Sequence, residues 1–128
     1  MPYVQISLLK GRSKESIRNI SNSIHQALVE EFKIPEFDKF QVINELEDGN
    51  IIFPLEYLGI PHSSKIIYIH ITAKSGRTVE MKKKLYAKIA SYICGVEDIT
   101  KDDIFIVISE NSEENWSFGK GEAQLVIK

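Results

Sequence analysis

The sequence predicts an α+β (α/β) fold in which two β-α-β units in tandem form a four-stranded sheet with both helices on one face. Three observations carry that expectation. Shifted by 65 residues, the chain aligns with itself without a gap, and 12 of the 43 positions compared are identical, against roughly three expected from average composition. Each half opens on alternating apolar residues and continues with apolar residues at helical spacing. The whole has 128 residues, the length of one ordinary domain.

Taken in order, residues 3–9 and 66–72 read as strands. Val4, Ile6 and Leu8 share one face of the first, and Ile67, Ile69 and Ile71 one face of the second. Gly11-Arg12-Ser13 and Gly76-Arg77-Thr78 follow, each a turn that ends in a hydroxyl suited to capping a helix. The first helix carries Ile17, Ile20, Ile24, Ala27 and Leu28 and should end before Pro35. The second carries Met81, Leu85, Ile89 and Ile93, with Gly95 as its stop. Strands at 40–45 and 104–109 complete the units, each parallel to its opening strand through a right-handed crossover. The pseudo-repeats thus occupy 2–45 and 67–110 of a single domain spanning 1–128.

Asp48, Gly49, Asn50, Pro54, Gly59 and Pro61 make 46–65 a looped connector, in which Ile51, Ile52 and Phe53 could form a short strand. The tail, 111–128, reads as a loop containing Trp116 and Phe118, then a short strand from Ala123 to Ile127. Ile66 to Ile71 and Ile104 to Ile108 make the strands apolar on both faces. An uncovered apolar face of roughly several hundred Å² is uncommon on a monomer, so self-association is expected.

The net charge of −2 and pI near 5.9 argue against a nucleic-acid partner. One cysteine, Cys94, cannot form an intramolecular disulfide. Neither a charged leader with an apolar run nor a stretch of about 18 apolar residues appears. These features predict a soluble, cytoplasmic chain with no membrane partner. His25, His62 and His70 share no metal-ligand spacing, and no phosphate-cradling loop is present. No metal and no cofactor are expected.

Chemistry enters with the opening dipeptide. Proline at position 2 is a small residue of the kind that permits removal of Met1, which would leave Pro2 as a free secondary amine at the start of a strand. A terminal proline can act as base, acid or nucleophile. Its repeat partner, Ile67, is internal and has no such amine. The pseudo-symmetry is therefore broken where a terminus creates reactivity.

Pro2, the Gly-Arg-Ser turn at 11–13, its echo at 76–78 and the duplicated plan resemble the tautomerase superfamily. Two stretches, Ile34 to Gln41 and Glu110 to Gly121, are similar to those of malonate semialdehyde decarboxylase and its relatives. The resemblance implies a homotrimeric ring of β-α-β units with Pro2 as the catalytic proline. It implies that Asp38 orients water or substrate near the proline amine. It also implies that Arg77 is the second of two arginines that bind a substrate carboxylate. For the first arginine, the family's Arg-Pro-Arg becomes Lys74-Ser75-Gly76-Arg77 here, one residue longer, with Lys74 nearest. Trp116 and Phe118 match aromatic pocket residues, and Phe40 stands where the decarboxylase has tyrosine. Arg12 takes the structural role of its turn, although in shorter superfamily members the matching arginine is catalytic. Asp103, the repeat partner of Asp38, reads as a turn or cap residue.

The expected reaction follows from the charge of Pro2. Burial and the cations Lys74 and Arg77 would lower its pKa, and Asp38 would raise it. A neutral amine can move a proton between the enol and keto forms of a small, carboxylate-bearing 2-oxo acid, which is the first expectation. A cationic amine suits hydration, or loss of CO2 from malonate semialdehyde or a related 3-oxo acid, which is the alternative. A reading from another class is a trimeric binding protein with vestigial proline activity. A trimer would hold three sites, not six, because only three prolines are terminal.

Overall fold

A computed structural model describes residues 1–126. Chain order runs β1 (Pro2–Leu9), α1 (Lys14–Glu31), β2 (Phe40–Leu46), β3 (Glu56–Tyr57), β4 (Ile60–Pro61), β5 (Ile67–Lys74), α2 (Val79–Val96) and β6 (Ile104–Asn111). Single 3-10 turns occupy Lys101–Asp103 and Glu113–Asn115. The repeat is visible in the boundaries: β5 and α2 begin and end 65 residues after β1 and α1.

Equivalent local signals set those boundaries. Gly11 and Gly76 have φ of 118° and 123°, a region that side-chain-bearing residues rarely adopt. Each turn delivers a helix cap. The Ser13 hydroxyl accepts from the Ser16 amide at 3.0 Å, and the Thr78 hydroxyl from the Met81 amide at 3.2 Å. Such a cap stabilises a helix by about 1 kcal/mol.

The main sheet has the order β2-β1-β5-β6. β1 pairs parallel to β2, β5 parallel to β6, and the central pair β1–β5 is antiparallel. Val4, Ile6 and Leu8 lie on the same face as Ile69 and Ile71 and pack against Ile20, Ile24, Leu28, Leu85, Ile89 and Ile93 of the two helices. These helix positions are spaced at one-turn intervals, so each helix presents an apolar stripe to the sheet. The antiparallel centre also has a positional consequence. The starts of β1 and β2 and the ends of β5 and β6 fall at one end of the sheet.

Four expectations are corrected. Gly95 does not stop the second helix, which continues to Val96 and is closed when the Glu97 amide donates to Ile93 O. Residues 51–53 form no strand: Ile51 is buried, and Ile52 O accepts from the Tyr68 hydroxyl, an anchor rather than a ladder. The connector instead forms the β3–β4 hairpin around Leu58 and Gly59, both at positive φ, as a two-residue type I′ turn requires. No strand forms over 123–126, because the Gln124 side chain closes the tail on itself; Ile127 lies outside the described residues. The second sheet face is mixed rather than apolar: Tyr3, Phe40, Val42, Phe105 and Val107 share it with Gln5, Ser7, His70, Thr72 and Ser109. Of their strand, Ile67, Ile69, Ile71 and Ala73 face the helices, because successive side chains alternate.

Candidate active site

The sheet end that gathers four strand termini is where the sequence-derived candidates meet. Pro2 begins β1, is buried, and pairs with Ala73 on the helix-facing side. Asp38 lies two residues before the start of β2, and its Oδ2 is 2.7 Å from the terminal ammonium of Met1. The Asp38 side chain is only 12% exposed. A carboxylate so placed favours the charged form of an amine beside it. In the chain bearing Met1, the Pro2 nitrogen is an amide; removing Met1 transfers the terminal amine to Pro2.

Lys74 ends β5, paired in register with Asn111 at the end of β6. Its ammonium is 3.2 Å from Glu113 Oε1. Arg77 lies in the turn that follows, just before the Thr78 cap of α2. Its Nη1 donates to Lys74 O at 2.9 Å, and its guanidinium sits 4.9 Å from the centroid of the Phe32 ring. Among the described residues, Arg77 makes no ion pair. A guanidinium without a carboxylate, at the positive end of a helix, is suited to receive an anion.

The tail supplies the aromatic side. From the end of β6 it crosses the sheet end to β2. The Trp116 indole N–H donates to Asn111 Oδ1. Trp116 and Phe118 stack with centroids 5.7 Å apart, and Phe118 lies 6.3 Å from Phe40 on β2. Phe40, Tyr3 and Lys74 belong to the open sheet face, whereas Pro2 belongs to the helix face. The site end thus has aromatic rings on one side and Arg77 with Phe32 on the other. Sequence reasoning did not find Phe32, Glu113 or Asn111. Each contacts a candidate through the fold, and a local pattern carries no such signal.

Other charged residues lie elsewhere. Arg12 follows the far end of β1; its Nη1 is 3.4 Å from Glu97 Oε1, and its Nη2 is 3.4 Å from Lys65 O. Asp103 is buried and accepts from the Ser63 amide at 2.8 Å and from the Ser63 hydroxyl. His25 Nε2 donates to Glu36 O, His62 Nδ1 to Pro54 O, and His70 shares a bond with Ser109. Burial pushes the Cys94 thiol above its ordinary pKa. Among the described residues, no group of three or more His, Cys, Asp or Glu is placed to hold a metal ion, and no helix is long and apolar enough to cross a membrane. A cleft of about 700 Å³ opens at the opposite sheet end, lined by Phe53, Tyr57, Tyr68 and Phe105 among others. The internal Ile67 stands there at the repeat position of Pro2, so the cleft has no terminal amine.

With this geometry established, comparison with known proteins is specific. Two family models, both described as tautomerase enzyme, match residues 38–119 and 2–60. Probable tautomerase YusQ of Bacillus subtilis (strain 168) is 44% identical over 126 residues, covering 98% of this chain and 99% of that protein. The crystal structure of FG41 malonate semialdehyde decarboxylase inhibited by 3-bromopropiolate superimposes with a TM-score of 0.89 and 36% identity, covering 95% of this chain and 92% of the other. At the level of fold alone, the chain is similar to a symmetric trimer of fused 4-OT (TM-score 0.77, 14% identity, 94% of each chain).

Proposed function

This chain belongs to the tautomerase family, and on that premise we propose that it interconverts the enol and keto forms of a small 2-oxo acid, using the amine of Pro2 once Met1 has been removed. Arg77, with Lys74 beside it, receives the substrate carboxylate. The neutral Pro2 amine takes the enol hydroxyl proton, and a proton is returned to the carbon of the enol double bond as the carbonyl forms. The proton count is unchanged over the cycle. Asp38 holds the protonated amine between the two transfers. Phe118 and Trp116 pack on the apolar part of the substrate and exclude water from it.

The observation that carries this reading is the 2.7 Å ion pair between the terminal ammonium and Asp38 at the start of β1. It supports the reading because it sets a carboxylate beside an amine at the chain terminus, the kind of group that the proposed chemistry uses. The test is turnover of the enol form of phenylpyruvate by the processed protein and by Pro2→Ala. Loss of a positioned acid–base group lowers the rate by about 10²- to 10⁴-fold, and that is the expected result. Unchanged turnover would remove Pro2 from catalysis and leave the binding-protein reading.

The same ion pair favours a second reaction. Asp38 stabilises a charged amine, and a cationic Pro2 would polarise the carbonyl of a 3-oxo acid and promote loss of CO2. The similarity to the FG41 decarboxylase supports this alternative. Release of CO2 from malonate semialdehyde, abolished in Pro2→Ala, would establish it. A homotrimer is proposed for either reaction, with the open sheet faces turned towards one another.

A further inference from the structure

The two halves of the chain hold equivalent arginines by different chemistry. Arg12 and Arg77 are repeat partners, and so are Glu97 and Phe32, each pair 65 residues apart. Glu97 and Phe32 are the C-cap residues of α2 and α1. In one half the arginine is neutralised: Glu97 Oε1 lies 3.4 Å from Arg12 Nη1, and Glu97 also accepts from Ser16 and Asn19. In the other half the same place in the fold presents an aromatic ring to Arg77 at 4.9 Å.

We infer that Phe32 is a positioning residue, which fixes the Arg77 guanidinium while sparing its charge and its hydrogen-bonding edge for a carboxylate. This rests on the reading that Arg77 receives the substrate carboxylate. A ring attracts a cation through its face without cancelling the charge. A guanidinium has five N–H donors in its plane; the only one that Arg77 commits to the described residues is Nη1, to Lys74 O. A planar carboxylate binds along that edge. The ring is itself packed in the core: Phe32 is 4% exposed, belongs to the core cluster, and its amide closes α1 by donating to Leu28 O at 2.9 Å. A cation beside a helix N-terminus is unfavourable without a partner. Glu97 meets that need for Arg12 by charge, and Phe32 meets it for Arg77 without charge.

The test compares steady-state kinetics of Phe32→Leu, Phe32→Tyr, Phe32→Glu, Arg77→Met and Glu97→Gln on the enol form of phenylpyruvate, with folding checked by circular dichroism. Phe32→Leu keeps an apolar side chain and removes the ring; KM is expected to rise about three- to thirty-fold, as the strength of a cation–π contact implies, with kcat little changed. Phe32→Tyr retains the ring and restores KM. Phe32→Glu recreates the pairing of the other half and raises KM further. Glu97→Gln leaves KM unchanged. Should Phe32→Leu not fold, Phe32→Met carries the same expectation. An unaltered KM in the folded leucine or methionine variant, with a raised KM in Arg77→Met, overturns the role of Phe32. An unaltered KM in Arg77→Met overturns the carboxylate reading itself, so the two failures are distinct.

Discussion

Asp38 and the chain terminus make the clearest single-residue case, because two buried or half-buried groups meet there as opposite charges. Removing the charge has a definite sign. A carboxylate within contact distance favours the ammonium, so Asp38→Asn should lower the pKa of the processed Pro2 amine. The measurement is the pH dependence of labelling of Pro2 by an amine-directed reagent, with mass spectrometry confirming that Met1 is absent. The midpoint should move to lower pH in the variant; an unmoved midpoint would mean that Asp38 does not reach the processed terminus. Lys74 shows the complementary case. Its pairing with Glu113 holds the ammonium at the sheet end but also satisfies its charge, so in the proposed reaction Arg77 is the principal receptor of the carboxylate.

The two helices are joined by more than their apolar stripes. Lys88 of α2 lies 3.0 Å from Glu30 Oε1 and 2.6 Å from Glu31 Oε2 of α1, and the Tyr92 hydroxyl also donates to Glu30. Hydrogen bonds from Tyr92, Gln26 and Lys88 hold the Glu30 carboxyl well below its ordinary 4.5, at about 2. A carboxyl whose pKa is depressed on folding contributes stability above its unfolded value and loses it as pH falls through the folded one. The contribution of this cluster should therefore be complete above about pH 4.5 and decline towards pH 2. Urea denaturation across that window should show a weaker pH dependence for Glu30→Gln than for the parent. Identical slopes would show that the cluster does not couple protonation to folding. The cluster is an element-scale feature, since it sits on the helix surface and touches no candidate site residue.

At the scale of the whole molecule, the antiparallel β1–β5 pairing turns two local repeats into one asymmetric object. One sheet end receives Pro2, Asp38, Lys74 and Arg77; the other receives Arg12, Asp103 and an internal Ile67. Pro2 and Arg77 therefore reach the same end from the two halves of a single chain. Titration with an active-site label should consume one equivalent per chain, and two equivalents would contradict a single terminal site. The open sheet face carries Phe40, 51% exposed, and Phe105, 45% exposed, among polar neighbours. In the proposed trimer that face is covered, so Val42→Glu combined with Val107→Glu should convert a trimer to monomers in sedimentation equilibrium. A wild-type chain that sediments as a monomer would refute the trimer.

The sequence by itself determined the elements and their duplication. Strand alternation, helical spacing and caps act over a few residues, which is why α1 and α2 were legible with their Ser13 and Thr78 caps. The place of Pro2 at the start of β1 was legible too, because the apolar alternation begins directly after it. Gly95, the tail and 51–53 were misread for the complementary reason: their outcomes were settled by Ile93, Gln124 and Tyr68, contacts a local pattern does not describe. Only the tertiary structure decided that Phe32 lies under Arg77 while Glu97 neutralises Arg12. The repeat alignment pairs those residues, but the difference between a ring and a carboxylate acquires meaning only when the chain brings each against its arginine. Energetics between residues distant in sequence depend on distance and burial, and folding sets both.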